Sequence, residues 1–187
     1  MIFTPDTELA LNSAVALINT GATKAGVRTE LLGTVAELDA FVDQEKFSGS
    51  RTHDAAELAG VQKVRSRLTA LWGAEEDVVV AETNAILREA SALPQLVRHD
   101  GFDWHLHATA PEADLGVRMA VEAAMALADV IRSGELGRLR RCAAEDCTAV
   151  VVDLSKNRSR RFCATGNCGN KTHVAAYRAR KAATEAF

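Results

Sequence analysis

The sequence predicts a mainly α-helical protein: a helical array carrying one β-hairpin, followed by a small cysteine-bearing module that ends in a helix. Three observations lead there. Apolar residues recur with helical spacing five times before position 134, a short stretch between two prolines alternates instead, and all four cysteines of the 187 residues fall after position 141. Charge divides at the same place. Residues 138–187 carry eleven Lys and Arg against four Asp and Glu, whereas residues 1–137 carry eleven against twenty-one. Opposite charge and different chemistry point to two modules, 1–136 and 137–187.

A first helix is expected after Thr4, with Pro5 at its opening position, where a missing N–H costs nothing; Leu11, Val15 and Ile18 share a face. Thr34 and Glu37 form a capping-box pattern ahead of Leu38, Phe41 and Val42. Asp54 opens a third helix through Val61, Val64, Leu68 and Leu71 to Trp72, with Gly73 as its stop. A fourth runs from about Glu75 to Leu93 and ends at Pro94.

Leu96 and Val97, then Phe102, Trp104 and Leu106 alternating with Asp103, His105 and His107, read as a hairpin turning at Asp100-Gly101. A fifth, Ala-rich helix from Asp114 to Ser133-Gly134 is apolar nearly all round and is expected to be the central one.

Little chemistry is legible in this half. His105 and His107 share a strand face at a spacing a metal could use, but two polar residues on the solvent side of a hairpin is the simpler reading, since no third ligand is nearby. Asn12, Asn19 and Asn84 sit in helical patterns, as pocket residues or, more simply, at caps and helix ends. No phosphate loop, nucleophile elbow or metalloprotease motif occurs, so an enzyme is not expected. No apolar run approaches a membrane span. The first basic residue is Lys24, which argues against an export signal and for a cytoplasmic protein.

The second module is more explicit. Cys142 and Cys147 are separated by four residues, as are Cys163 and Cys168, with fifteen residues between the pairs. Two such pairs fit a tetrahedral zinc site of the zinc-ribbon or treble-clef kind; disulfides are the alternative, disfavoured in a reducing compartment. Four thiolates leave no open position, so the zinc is expected to be structural. Val150–Val152 reads as a strand, Ser155–Arg158 as a turn and Arg160–Phe162 as a returning strand. Gly166 and Gly169 supply positive φ, and a last helix begins near Asn170 or Thr172. Arg158, Arg160 and Arg161 on the hairpin, with Lys171, Arg178, Arg180 and Lys181 on the helix, are the expected nucleic-acid contacts. A solvated basic surface or a docking face for an acidic protein are the alternatives.

The run FCATGNCGNKTHVAAYRARK, within Leu139–Lys181, resembles the CGNR zinc finger. The stretch LALNSAVALINT and the region from Pro94 into the Ala-rich helix resemble the ABATE domain found ahead of that finger. The resemblance implies a stress-induced transcription regulator: a finger that binds zinc through the four cysteines and contacts DNA, and a helical domain that acts as a sensor of a small molecule. One small module buries only about 600–1,000 Å² on DNA, so a homodimer formed through the helical domain is a further expectation. Lys171 stands where the motif's name has arginine, which keeps the charge and loses the planar bidentate fork.

Overall fold

The computed structural model describes residues 3–24, 26–98 and 103–185. In chain order it comprises α1 (Pro5–Asn19), β1 (Thr23–Lys24), β2 (Val27–Arg28), α2 (Val35–Glu45), α3 (Ala55–Leu71), α4 (Glu76–Glu89), β3 (Gln95–Val97), β4 (His105–His107), α5 (Leu115–Arg132), a 3-10 turn at Leu136–Arg138, β5 (Leu139–Arg141), β6 (Val150–Val152) and α6 (Cys168–Glu185). The strands form three separate antiparallel pairs, β1 with β2, β3 with β4 and β5 with β6. None of the described helices is long and apolar enough to cross a membrane.

The capping box of α2 forms as expected: Thr34 Oγ1 accepts from the Glu37 N–H, and the Glu37 carboxylate accepts from the Thr34 N–H at 2.9 Å. Asp54 caps α3 in the same manner through the Glu57 N–H. Thr4 precedes α1 without a capping bond of its own. α4 stops at Glu89, four residues short of the expected Leu93. Ser91 takes a left-handed turn there, and the Leu93 N–H leaves the helix to bond the Ala108 carbonyl beside the hairpin.

α5 is the centre of the array and packs against α1, α3 and α4. Its crossing with α3 is close because both contacts are glycines: a Cβ on Gly116 would lie 3.1 Å from the Gly60 carbonyl carbon. Around it lie Leu11, Leu38, Val61, Leu68, Leu71, Trp72 and Val79, which, like Leu127 of α5 itself, are essentially inaccessible.

The core does not stop at residue 136. Leu139, Val150 and Val152 belong to it, while Val151, on the other face of the same strand, joins the small cluster around the cysteines. Period-two alternation thus places β6 between two cores. Polar bonds reinforce the join. Asn19, the last residue of α1, donates to the Val150 carbonyl at 3.0 Å and accepts from the Val150 N–H at 2.8 Å, and Trp72 Nε1 donates to the Val151 carbonyl at 3.1 Å.

The hairpin register pairs Leu96 with Leu106, so the β3–β4 connection has its expected partners; its Asp100-Gly101 turn and Phe102 lie outside the described residues. Its orientation is the reverse of the expectation. Leu96 and Leu106 face solvent, while His105 and His107 are half-buried on the inner face, where their Nε2 atoms lie 3.1 Å apart. His105 Nδ1 is 2.8 Å from the Asp103 carbonyl. A carbonyl only accepts, so Nδ1 of His105 is the donor in that contact.

Candidate metal centre and basic surface

The first cysteine pair sits in the turn between β5 and β6. The Cys142 N–H donates to the Ala149 carbonyl at 2.8 Å, closing this turn into a knuckle. The turn is also tied to the helical domain: the Thr148 N–H bonds the Thr23 carbonyl, and the Gly26 N–H bonds the Asp146 carbonyl. The second pair begins beyond a long loop and ends in the first turn of α6.

Val150–Val152 does not pair with residues 160–162, contrary to the expected returning strand; its partner is Leu139–Arg141. The reason lies in Asp153, whose carboxylate is wholly buried and gathers the loop onto itself. It accepts from the Ser155 N–H at 3.0 Å, the Arg160 N–H at 2.9 Å and Arg140 Nη1 at 3.1 Å, as well as from the Ser155 hydroxyl. Burial alone would raise its pKa; the bonds from Ser155 and Arg160 and the charge of Arg140 outweigh it and hold the group below the usual carboxylate range. The Arg161 carbonyl then accepts from Ala143, docking the chain on the first knuckle.

The four cysteines converge. Their sulfurs all lie within 4.8 Å of one another, and all four side chains are buried. Cys147 Sγ is 3.7 Å from Cys163 Sγ, which is 3.6 Å from Cys168 Sγ. A tetrahedron with Zn–S bonds of about 2.3 Å has edges of about 3.8 Å, so the spacing suits one zinc ion with four sulfur ligands and excludes disulfide bonds. Burial pushes the Cys147 thiol up to about 11 and raises that of Cys168 as well. Four thiolates are tolerable in so dry a space only around a cation. Backbone N–H groups help: Cys163 N donates to Cys142 Sγ at 3.4 Å, and Ala149 and Gly166 bond Cys147 and Cys163. With four sulfurs spent, no coordination position is left for substrate, and the ion's work is structural.

Gly169 does not have positive φ, contrary to expectation; a left-handed residue of the second knuckle is Asn167, at φ 52°. Gly169 is needed for space. A Cβ there would stand 3.3 Å from the Phe162 ring, which also meets the His173 ring edge-on with centroids 5.9 Å apart. This contact seats α6, which starts at Cys168, two to four residues earlier than expected. Beyond it, residues 170–184 are exposed at every position, and no helix or strand lays a face against them among the described residues.

The arginines of the module divide into two groups. Arg138 is 4% exposed and serves the interior, donating to the Glu135 carboxylate and to the Asp153 and Ser155 carbonyls. Arg140 is held by Asp153, and Arg141 reaches the Thr69 carbonyl on α3. Arg158, expected on the outer surface, is exposed but spends its guanidinium on Glu135 at 2.8 Å. Arg160 and Arg161 are exposed, the latter with its guanidinium over Phe162, and Lys171, Arg178, Arg180 and Lys181 are exposed along α6.

Asn19, Asp153 and Phe162 organise this region, and of these only Asn19 stood out in the sequence, as a polar residue at a helix end. Asn12 bonds the Glu8 carbonyl on its own helix, and Asn84 is exposed.

Fold and centre together define a zinc-finger protein with a helical domain in front. Residues 138–181 match the family model of the CGNR zinc finger. Residues 11–134 match the ABATE model, described as "Putative stress-induced transcription regulator", and the chain belongs to that family. No curated protein matches the chain.

Proposed function

We propose that the chain is a cytoplasmic, non-enzymatic transcription regulator that binds DNA through its zinc finger, with Cys142, Cys147, Cys163 and Cys168 holding the ion. The observation that carries this reading is α6, an 18-residue helix bare from residue 170 to 184. At 1.5 Å per residue it is about 27 Å long, and an α-helix fits the major groove of B-DNA. Its charged residues over 168–184 are all cations.

Helical geometry sorts those cations. Lys171, Val174, Arg178 and Lys181 follow one another at three- and four-residue steps and form one stripe. Gly169, His173, Ala176 and Arg180 form the opposite one, which Phe162 holds at its base. At the base of α6 the first stripe is the one turned away from Phe162. Arg160, Arg161, Lys171, Arg178 and Lys181 are therefore the main phosphate contacts, while Arg158 is engaged by Glu135 and Arg180 lies on the opposite stripe. The acid-rich helical domain stays off the duplex by repulsion.

A second reading, a docking face for an acidic protein with the same structural zinc, is separated by salt. Fluorescence anisotropy on random-sequence duplex should show affinity falling with a log–log slope near −4.5 for about five neutralised phosphates. No binding to any duplex at about 50 mM salt favours the protein-docking reading.

A cleft of about 640 Å³ between α3, α4 and α5, floored by Gly60, Val64, Ile86 and Gly116, is where a small-molecule effector would sit. Its volume falls in the usual range of ligand sites. His105, His107 and Asn84 do not line it.

A further inference from the structure

Of the surfaces not used above, the outer face of the β3–β4 hairpin stands out. Leu96 is 67% exposed, Trp104 62% and Leu106 41%, and Leu93, at the foot of β3, is 71% exposed. Register places Leu96 beside Leu106. Trp104, just ahead of β4, lies beneath the guanidinium of Arg98, two residues beyond Leu96. The side chains that would normally cover such a face lie elsewhere: the inner face carries His105 and His107, already paired with each other.

The charge on this face is small and already used. Arg98 stacks its guanidinium over the Trp104 ring at 5.2 Å from the centroid, a cation–π contact that broadens the flat surface. Among the described residues of this face there is no one-signed field to select an oppositely charged partner. A flat apolar patch of this kind is complementary to another copy of itself across a two-fold axis.

The areas agree. At the stated exposures, side chains of this size present on the order of 400–500 Å² of apolar surface. A standard interface buries about 800 Å² on each partner, with roughly 56–65% of it apolar. The patch supplies the apolar centre that one half of such an interface requires.

We infer that the hairpin's outer face, centred on Leu96, Trp104 and Leu106, is the self-association surface of this protein, occupied by the same face of a second copy. The hairpin leads into the amino-terminal end of α5, whereas the finger departs from the carboxyl-terminal end, some 27 Å away for an 18-residue helix. A dimer built on the hairpin meets at the end of α5 opposite to the one from which the finger departs. The inference stands whether or not the basic surface binds DNA, because it is read without nucleic acid.

Sedimentation velocity on the full zinc-loaded chain tests it. At about 100 µM the wild type should sediment as a dimer. Leu96→Lys and Trp104→Ser, made separately at exposed positions, should each give a monomer with wild-type helicity and zinc content, and a dissociation constant raised at least tenfold. A monomeric wild type at that concentration overturns the inference and leaves the face to a different protein. A dimer that survives both substitutions also overturns it.

Discussion

The helical domain and the finger solve the problem of stability differently. Around α5, large apolar side chains fill a continuous core; the Arg67–Glu82–Glu89 network lies towards its periphery, while Arg51 and Glu57 form a largely buried ion pair. Around the cysteines, the buried cluster is Ala22, Ala144, Ala149, Val151 and four sulfurs, with Phe162 against it. Such small side chains cannot offset the entropy of ordering about fifty residues, so the metal and the Asp153 hub do what leucines do elsewhere. The finger is consequently only as independent as its metal, and it leans on the domain through β6.

That dependence gives the largest expected effect. Structural zinc contributes roughly 10–16 kcal/mol in finger peptides, so chelation, or Cys163→Ser, should unfold the second knuckle and α6. Because Leu139, Val150 and Val152 complete the main core, the helical domain should lose stability at the same time. Thermal melts followed at 222 nm, with released zinc read by a chromogenic chelator, should show the domain melting at least 10 °C lower without metal. An unchanged domain transition would mean that β5–β6 is a guest of the core and not a part of it.

Asn19 tests the same join without touching the metal. Asn19→Ala removes two bonds and strands the buried N–H and carbonyl of Val150. Leaving such groups unpaired costs about 2–4 kcal/mol, against under about 0.5 kcal/mol for Asn12→Ala on the surface of the same helix. Urea denaturation of both variants measures the difference. Equal midpoints would remove Asn19 from the coupling.

How much of this could be read in the sequence follows from what each feature depends on. Caps and helical period are local, so α2, α3 and α5 were legible, as were the metal-site spacings of Cys142, Cys147, Cys163 and Cys168. The partner of Val150–Val152 was not, because the choice between residues 139–141 and 160–162 depends on a buried carboxylate at Asp153, which gathers the later segment into a loop. Alternation along β4 marked two faces without saying which was inward; Trp104 and Leu106 are exposed because, among the described residues, no element lies over that side. Gly169 was read as a conformational residue, whereas its small size is what matters, against a Phe162 ring that only the fold brings near. The same limit applied to the basic residues. Composition counts eleven cations, and only the structure shows Arg138, Arg140, Arg141 and Arg158 already engaged.

The smallest effect is the most discriminating about the basic surface. Arg178 and Arg180 are two residues apart on one helix, equally charged and both exposed, so composition cannot separate them. On the proposed geometry Arg178 lies in the stripe with Lys171 and Lys181, whereas Arg180 lies on the side that Phe162 holds. Arg178→Ala should lower affinity for duplex DNA and reduce the salt slope by about one. Arg180→Ala should leave the slope unchanged, and Lys171→Arg, which restores the planar fork, should hold or raise affinity. Anisotropy titrations at three salt concentrations resolve a slope difference of that size. Equal losses at 178 and 180 would mean that α6 is gripped all round by the partner, and the stripe of Lys171, Arg178 and Lys181 would have no special standing.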